Sequence, residues 1–245
     1  NTQNSMIFQK SLSPIRFKVL MIFLLVMASA CTAKRVPLKD VSLPAPEMAK
    51  NTDKAWYAAR FSLNWEAGEE PKWYLGTLLG GEVINPLLAQ AAQQLTYWRV
   101  HRRAVRDQTG HVFSFIFYSS EASAADIYQQ LQSNKLLVLL QQQELLKVSY
   151  DPLTTDLHRV IADTSDPVWP AEVRASWPLF MMGASQMWLA QIEMIKQETP
   201  EEQGVALRYK RIQEQVTELW QQQGQHALMH HLSALYAYQP VAIRF

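Results

Sequence analysis

The chain has 245 residues, a formal net charge of +1, 48% hydrophobic residues and 18% charged residues. That composition excludes a disordered chain, and the balanced charge offers no global field for gathering nucleic acid. The one cysteine, Cys31, excludes an internal disulfide, a Cys-cluster metal site and a CxxC redox pair. Eight Trp, nine Tyr, nine Phe and nine Met supply a packed core, or an aromatic and Met-lined groove for a lipid or partner.

The amino-terminal stretch reads as an export signal. Lys10, Arg16 and Lys18 precede a nine-residue apolar run, Val19 to Met27. Such a run falls short of the ~20 residues a membrane-spanning helix needs and suits a signal-peptide core. Ala28-Ser29-Ala30 then lead into Cys31. Residues 6–31 resemble the signal and lipobox of bacterial lipoproteins, with Ala28 where that family usually has Leu. The resemblance implies cleavage before Cys31, a diacylglycerol thioether and an amide-linked acyl chain. It also implies outer-membrane sorting, since Thr32 is not the Asp that retains such proteins at the inner membrane. Each buried methylene of the acyl chains adds ~0.8 kcal/mol of anchoring. Ala28-Ser29-Ala30 also suits the ordinary signal peptidase, which would leave Cys31 unmodified.

Residues 1–30 are thus expected to be a signal peptide and 31–53 an acylated Cys with a flexible tether. Pro37, Pro44, Pro46 and scattered charges in that tether oppose helix and paired strand. Extended, it would reach roughly 60 Å at ~3 Å per residue. Residues 54–245 are expected to form a single domain.

Within that domain, Trp56 to Trp65 shows the alternation and aromatic content of a strand. Lys72 to Leu79 reads as a short helix closed by a left-handed cap at Gly80-Gly81. Asn85-Pro86 reads as the start of another, reaching about Gln94. The segment 96–119 is expected to be a β-hairpin around Asp107-Gln108-Thr109-Gly110, a turn signature. Opposing Val105 to Val112 puts Trp98, Val100 and Ala104 on a face with Phe113, Phe115 and Phe117. Arg99, His101 and Arg103 then share the other face with Ser114, Ile116 and Tyr118. This register is preferred because it gives one buried face, although a bulge at Gly110 would shift it.

Ser120 suits the cap of a helix over 121–132, which Asn134 ends. A second short helix follows over 135–143, then a strand over 145–150. Residues 151–166 read as a loop. Residues 178–197 form a helix apolar on most sides, expected to be buried, with Ser176 as its cap. Thr199-Pro200-Glu201-Glu202 reads as a capping box. The helix it opens runs to about Gln222 with Val205, Ile212, Val216, Leu219 and Trp220 inward, and ends at Gly224. A final helix over 225–236 stops at Pro240, and 241–245 reads as a closing strand. The expected class is α+β: a small antiparallel sheet built on the hairpin, packed by helices, with a mostly helical carboxy-terminal half.

Chemistry concentrates on the hairpin. Arg99, His101, Arg102 and Arg103 are the candidates for binding an anion or a partner, because guanidinium groups match oxyanions in a bidentate way. Their plainer role is that of solvated or ion-paired side chains. Arg102 is expected on the apolar face, where it needs a carboxylate or an opening to water. His226 and His230 share a helix face, but without the Glu of a zinc-protease motif. Ser185 is no nucleophile elbow, and Asp163 and Asp166 read as turn formers. The pattern holds no catalytic constellation, metal site or cofactor fingerprint.

The function expected from these features is a non-enzymatic binding or envelope-assembly factor. It would be lipid-anchored at the periplasmic face of the outer membrane, with an envelope protein as partner and no nucleic acid. The partner contact is expected in a groove between the hairpin and the carboxy-terminal helices. The alternatives are an envelope hydrolase or ligand-processing enzyme using His101, Arg103 and Asp107 or the carboxy-terminal histidines, and a carrier of an apolar ligand.

Overall fold

Ten residues, Lys54–Leu63, form strand β1, an interior strand of the sheet. In the computed structural model residues 53–154, 159–201 and 204–239 are described. All of them fall within a single unit, Met48–Phe245. The signal, Cys31, almost all of the tether and the 241–245 segment lie outside the described residues. Strand β1 pairs antiparallel with β3 (His111–Ser120) on one side and with β4 (Leu146–Tyr150) on the other. Strand β2 (Tyr97–Ala104) completes the sheet in the order β2-β3-β1-β4. The fold is α+β, and the carboxy-terminal half is mostly helical.

The remaining elements are α1 (Trp73–Leu79), a π-helical turn (Gly80–Ile84) and α2 (Asn85–Ala91). Then come α3 (Glu121–Gln132), α4 (Lys135–Gln142), α5 (Ala171–Glu198), α6 (Val205–Leu219) and α7 (Gln225–Leu235). The helices gather on the sheet face that carries Tyr57, Ala59, Phe61, Phe113, Phe115 and Phe117, all buried. Fully burying each such aromatic or aliphatic side chain contributes about 1.5–3 kcal/mol, which is why this face specifies the fold. The opposite face is covered at one end by residues 159–164. There Ile161 O accepts from Trp56 Nε1 (3.0 Å), Arg159 O from the Tyr118 hydroxyl (2.8 Å) and Thr164 O from Arg99 Nη2 (3.1 Å). Strand β1 is therefore buried on both faces over its first half.

The hairpin keeps its expected faces but not its expected register. Val112 lies opposite Arg103, and Val100 opposite Phe115. The strands have slid by two residues, which leaves every side chain on its face because the strand period is two. The loop sets the slide. Asp107 Oδ1 accepts from the backbone amides of Thr109 (2.9 Å) and Gly110 (3.1 Å), and Gly110 takes φ +69°. Such an Asx-type loop spaces the strands more widely than a tight turn.

Helix α3 begins where expected: Ser120 Oγ accepts from the Ser123 amide at 3.2 Å. Asn134 does more than end that helix, since its side chain caps α4 through the Leu137 amide at 3.1 Å. Other boundaries differ from expectation. Gly80 and Gly81 are helical, and the chain runs on through the π-turn into α2, so Asn85 caps nothing. These glycines are needed for close approach. A Cβ on Gly80 would stand 2.9 Å from the Trp188 ring, and one on Gly81 2.9 Å from the Tyr209 hydroxyl.

Helix α5 starts at Ala171 and passes through Pro178, and Ser176 sits inside it with Oγ bonded to Glu172 O at 2.9 Å. Nor is α5 buried all round: Leu179 is 55% exposed, Phe180 51% and Met194 57%. Thr199 closes α5, its hydroxyl donating to Ile195 O at 2.8 Å, and α6 opens only after Gly204 at φ +73°. Of the inward set expected on α6, Ile212 and Val216 are buried together with Tyr209, whereas Val205 is 56% exposed. Gly224 lies in a second π-turn (Trp220–Gly224) that leads straight into α7. Among the described residues no helix is long and apolar enough to cross a membrane.

Candidate functional site

Alternation along β2 divides the four candidate residues. Arg99, His101 and Arg103 lie on the face away from the helices, while Arg102 lies opposite Phe113 on the helical face. The expected cluster is thus two separate places.

On the outer face little cationic charge stands free. Arg103 forms an ion pair with Asp107, Nη1 donating to Oδ1 at 2.9 Å. That bond, with the two turn amides, holds the Asp107 carboxyl far below its usual range. Among the described residues Arg99 has no acid partner: it donates to Thr164 O, and its Nε is buried without an acceptor. His101 lies opposite Ser114 and is pushed below its ordinary value by burial, then by Arg99 and Arg103, so it is neutral at pH 7. Asp107 is committed to Arg103 and to the turn. A His101–Arg103–Asp107 hydrolytic arrangement would need that carboxylate for something else.

Arg102 occupies a different setting. Its guanidinium lies between the rings of Trp73 on α1 and Trp188 on α5, at 5.1 and 5.0 Å from their centroids. Nη2 donates to Trp73 O at 2.7 Å and to Gln213 Oε1 on α6 at 2.8 Å. The Gln213 amide is held in that sense because its Nε2 donates to Thr217 Oγ1 at 2.6 Å. Of the carboxylate or opening to water expected for Arg102, no carboxylate is found among the described residues; two carbonyl-type oxygens and two indole faces surround it. Such cation–π contacts contribute ~0.5–2 kcal/mol each, depending on desolvation. Burial lowers the guanidinium to about 10, so it keeps its charge. Gly76 makes room for it, since a Cβ there would stand 3.1 Å from Arg102 Nε.

His111 lies next to this group, in edge contact with Trp73 (5.0 Å) and Trp65 (5.9 Å). Burial, and then the charge of Arg102, depress it to about 4. Its Nδ1 is buried without a partner. Nearby, Arg106 stacks on Trp65 at 3.4 Å and donates to the carbonyls of Trp65, Glu66 and Glu69. Sequence reasoning found Arg102 but not Trp73, Trp188 or Gln213 around it. These come from α1, α5 and α6, and no local spacing links them.

The other candidates are structural. Ser185 is buried, accepts from the Val100 amide at 3.1 Å and donates to Met181 O at 2.6 Å. Asp163 Oδ2 accepts from the Val160 amide and Asp166 Oδ1 from the Val168 amide, the turn roles expected of them. The rings of His226 and His230 stack at 5.8 Å on the exposed side of α7. Among the described residues no three His, Cys, Asp or Glu side chains are grouped to hold a metal. A concavity of about 530 Å³ lies where α1, α4 and α6 meet, with Glu82, Lys135, Arg208 and Tyr209 on its walls. The Tyr209 hydroxyl bonds Glu82 there, and Lys196 stands 3.5 Å from the same carboxylate.

The fold defines an α+β domain with a cationic hairpin. Comparison with protein-family models, with curated proteins and with solved structures finds no match for the chain.

Proposed function

We propose that this protein is a lipoprotein, acylated at Cys31 and anchored at the periplasmic face of the outer membrane, whose α+β domain binds an envelope protein without catalysis. The anchor rests on the positive, apolar and small-residue segments that precede the chain's one cysteine. The binding role rests on an apolar stripe left outside the core. Val173, Trp177 and Phe180 recur at helical spacing along the first half of α5. Trp177 contacts Trp169 at 4.8 Å and Phe180 at 5.8 Å, and Phe180 and Val173 are 51% and 45% exposed. A contiguous aromatic surface of this kind on a water-facing helix marks a contact site. The expected groove between hairpin and carboxy-terminal helices is filled along β2 by Ser185 and Trp188, so the contact surface moves to the outer side of α5.

The test has two arms. Mass spectrometry of the membrane-extracted protein should find diacylglycerol and acyl mass on an amino-terminal Cys31, and Cys31→Ser should release the protein from membranes. A photo-crosslinking residue at Phe180 should yield one discrete adduct in envelopes, where the same residue at exposed Gln142 yields none. An unmodified thiol would defeat the anchor. Identical crosslinking at the two positions would defeat the contact surface.

A further inference from the structure

We infer that Arg102 is the recognition group of a binding site for a small oxyanion, a carboxylate or phosphate, at the place where β2, α1, α5 and α6 meet. Its failure is separable from that of the lipoprotein reading, since the site does not depend on Cys31.

Four observations carry it. Among the described residues the guanidinium has no acidic partner: its acceptors are Trp73 O and Gln213 Oε1, both uncharged. A buried cation without a counter-charge is a standing cost, which an incoming anion offsets. Second, the Trp73 and Trp188 rings flank the group and leave its edge as the direction of approach. Third, Nε is buried without a partner, while Nη1 is not among the buried polar atoms. Nη1, which donates to nothing among the described residues, is therefore the N–H group an anion can reach, while Nε is enclosed beside Gly76. Fourth, the fold builds the seat: Gly76 omits the Cβ that would crowd Nε, and the Thr217 hydroxyl aims the Gln213 oxygen at the guanidinium.

A purely structural arginine would be expected to pair with a carboxylate or run its head out to water. Arg102 has no such carboxylate among the described residues and holds its guanidinium between two rings rather than free in water, and His111 beside it adds no negative charge. The N–H bonds of Nη1 can make a charge-assisted contact to a carboxylate or phosphate oxygen, and the flanking indoles suit an apolar body attached to that head. The oxyanion comes either from a free small molecule or from a lipid headgroup.

The experiment uses the full chain, with thermal unfolding and Trp emission followed at pH 7.5 and constant ionic strength. Sodium phosphate, sodium acetate and glycerol 3-phosphate are titrated against sodium chloride. The expected result is a saturable rise in the unfolding midpoint and a change in Trp emission with an oxyanion but not with chloride. Arg102→Gln should weaken this by roughly thirtyfold or more. Arg102→Lys should keep part of it, and Arg99→Gln and Arg103→Gln should keep all of it. Arg102-dependent retention on vesicles containing phosphatidylglycerol would assign the headgroup source, and response to soluble anions alone would assign the free one. Equal responses to chloride and oxyanions in the unaltered protein would overturn the site, a comparison that needs no variant to fold. So would a response lost with Arg99 or Arg103 but retained in Arg102→Gln.

Discussion

The Val100 amide donates to Ser185 Oγ at 3.1 Å, and through this bond helix α5 closes the outer edge of the sheet. An open edge strand is a template for unwanted pairing, so a covering helix protects it. Ser185→Ala would leave the buried Val100 N–H without an acceptor, at a cost of about 1–3 kcal/mol. The expected outcome is a lower denaturation midpoint and faster hydrogen exchange at Val100, with exchange in β1 unchanged apart from global unfolding. An unaltered midpoint would mean that water takes over the role of the hydroxyl.

Gly80 and Gly81 are packing glycines, whereas Gly183 is free on its helix. A Cβ on Gly80 meets Trp188 at 2.9 Å and one on Gly81 meets Tyr209 at 2.9 Å, while one on Gly183 meets nothing within 4 Å. Alanine at either of the first two positions forces a displacement in the core and should cost about 1–3 kcal/mol. Gly183→Ala, inside α5, should stabilise by about 0.5–1 kcal/mol through helix propensity. Thermal unfolding of the three variants checks the opposite signs.

These glycines also show where reading the sequence stops. A Gly pair after a short apolar run suits a helix end, and the packing that requires glycine in a helix interior comes from far along the chain, from Trp188 and Tyr209. The hairpin faces were legible because alternation is local, and Ser120 was legible as a cap because capping is local. Register was not, since it depended on how the Asp107 side chain spaces the loop. Burial of α5 was overestimated because periodicity reports apolar content, not whether a neighbour exists to cover it. Arg102 was correctly expected on the apolar face. Its Trp73 and Trp188 neighbours were not, because cation–π partners obey no spacing rule along the chain.

Arg208 caps the carboxy-terminal end of α5. It donates to Lys196 O at 2.9 Å and Thr199 O at 3.2 Å, the last carbonyls of α5, and its positive charge suits that end of the helix dipole. Arg208→Met should therefore loosen the α5–α6 junction at a cost of about 1–2 kcal/mol. Removing only the acid, through Glu201→Gln, should change stability little, because Glu201 is an exposed partner. Chemical denaturation of both variants distinguishes the carbonyl bonds from the ion pair as the source of stability.

His111 should make the domain acid-sensitive. In the fold it is depressed to about 4, by burial and then by the charge of Arg102, against an ordinary value near 6.5. Between those values the unfolded chain binds more protons than the folded one. The contribution is therefore complete above about pH 6.5 and is lost as pH falls towards 4. Discounted for solvent screening, it amounts to about 1–2 kcal/mol. His101, lowered by burial, Arg99 and Arg103, acts with the same sign from the opposite face. His111→Phe keeps the ring contacts with Trp65 and Trp73 while removing the titration, so its stability should vary less between pH 7 and pH 4.5 than that of the unaltered chain. His101→Gln should reduce the slope too, and the double variant should combine both effects, because the two residues lie on different faces of the sheet. Urea denaturation at half-unit pH steps reads these slopes directly. An unchanged slope in His111→Phe would show that His111 reaches water when protonated, which its buried, partnerless Nδ1 argues against.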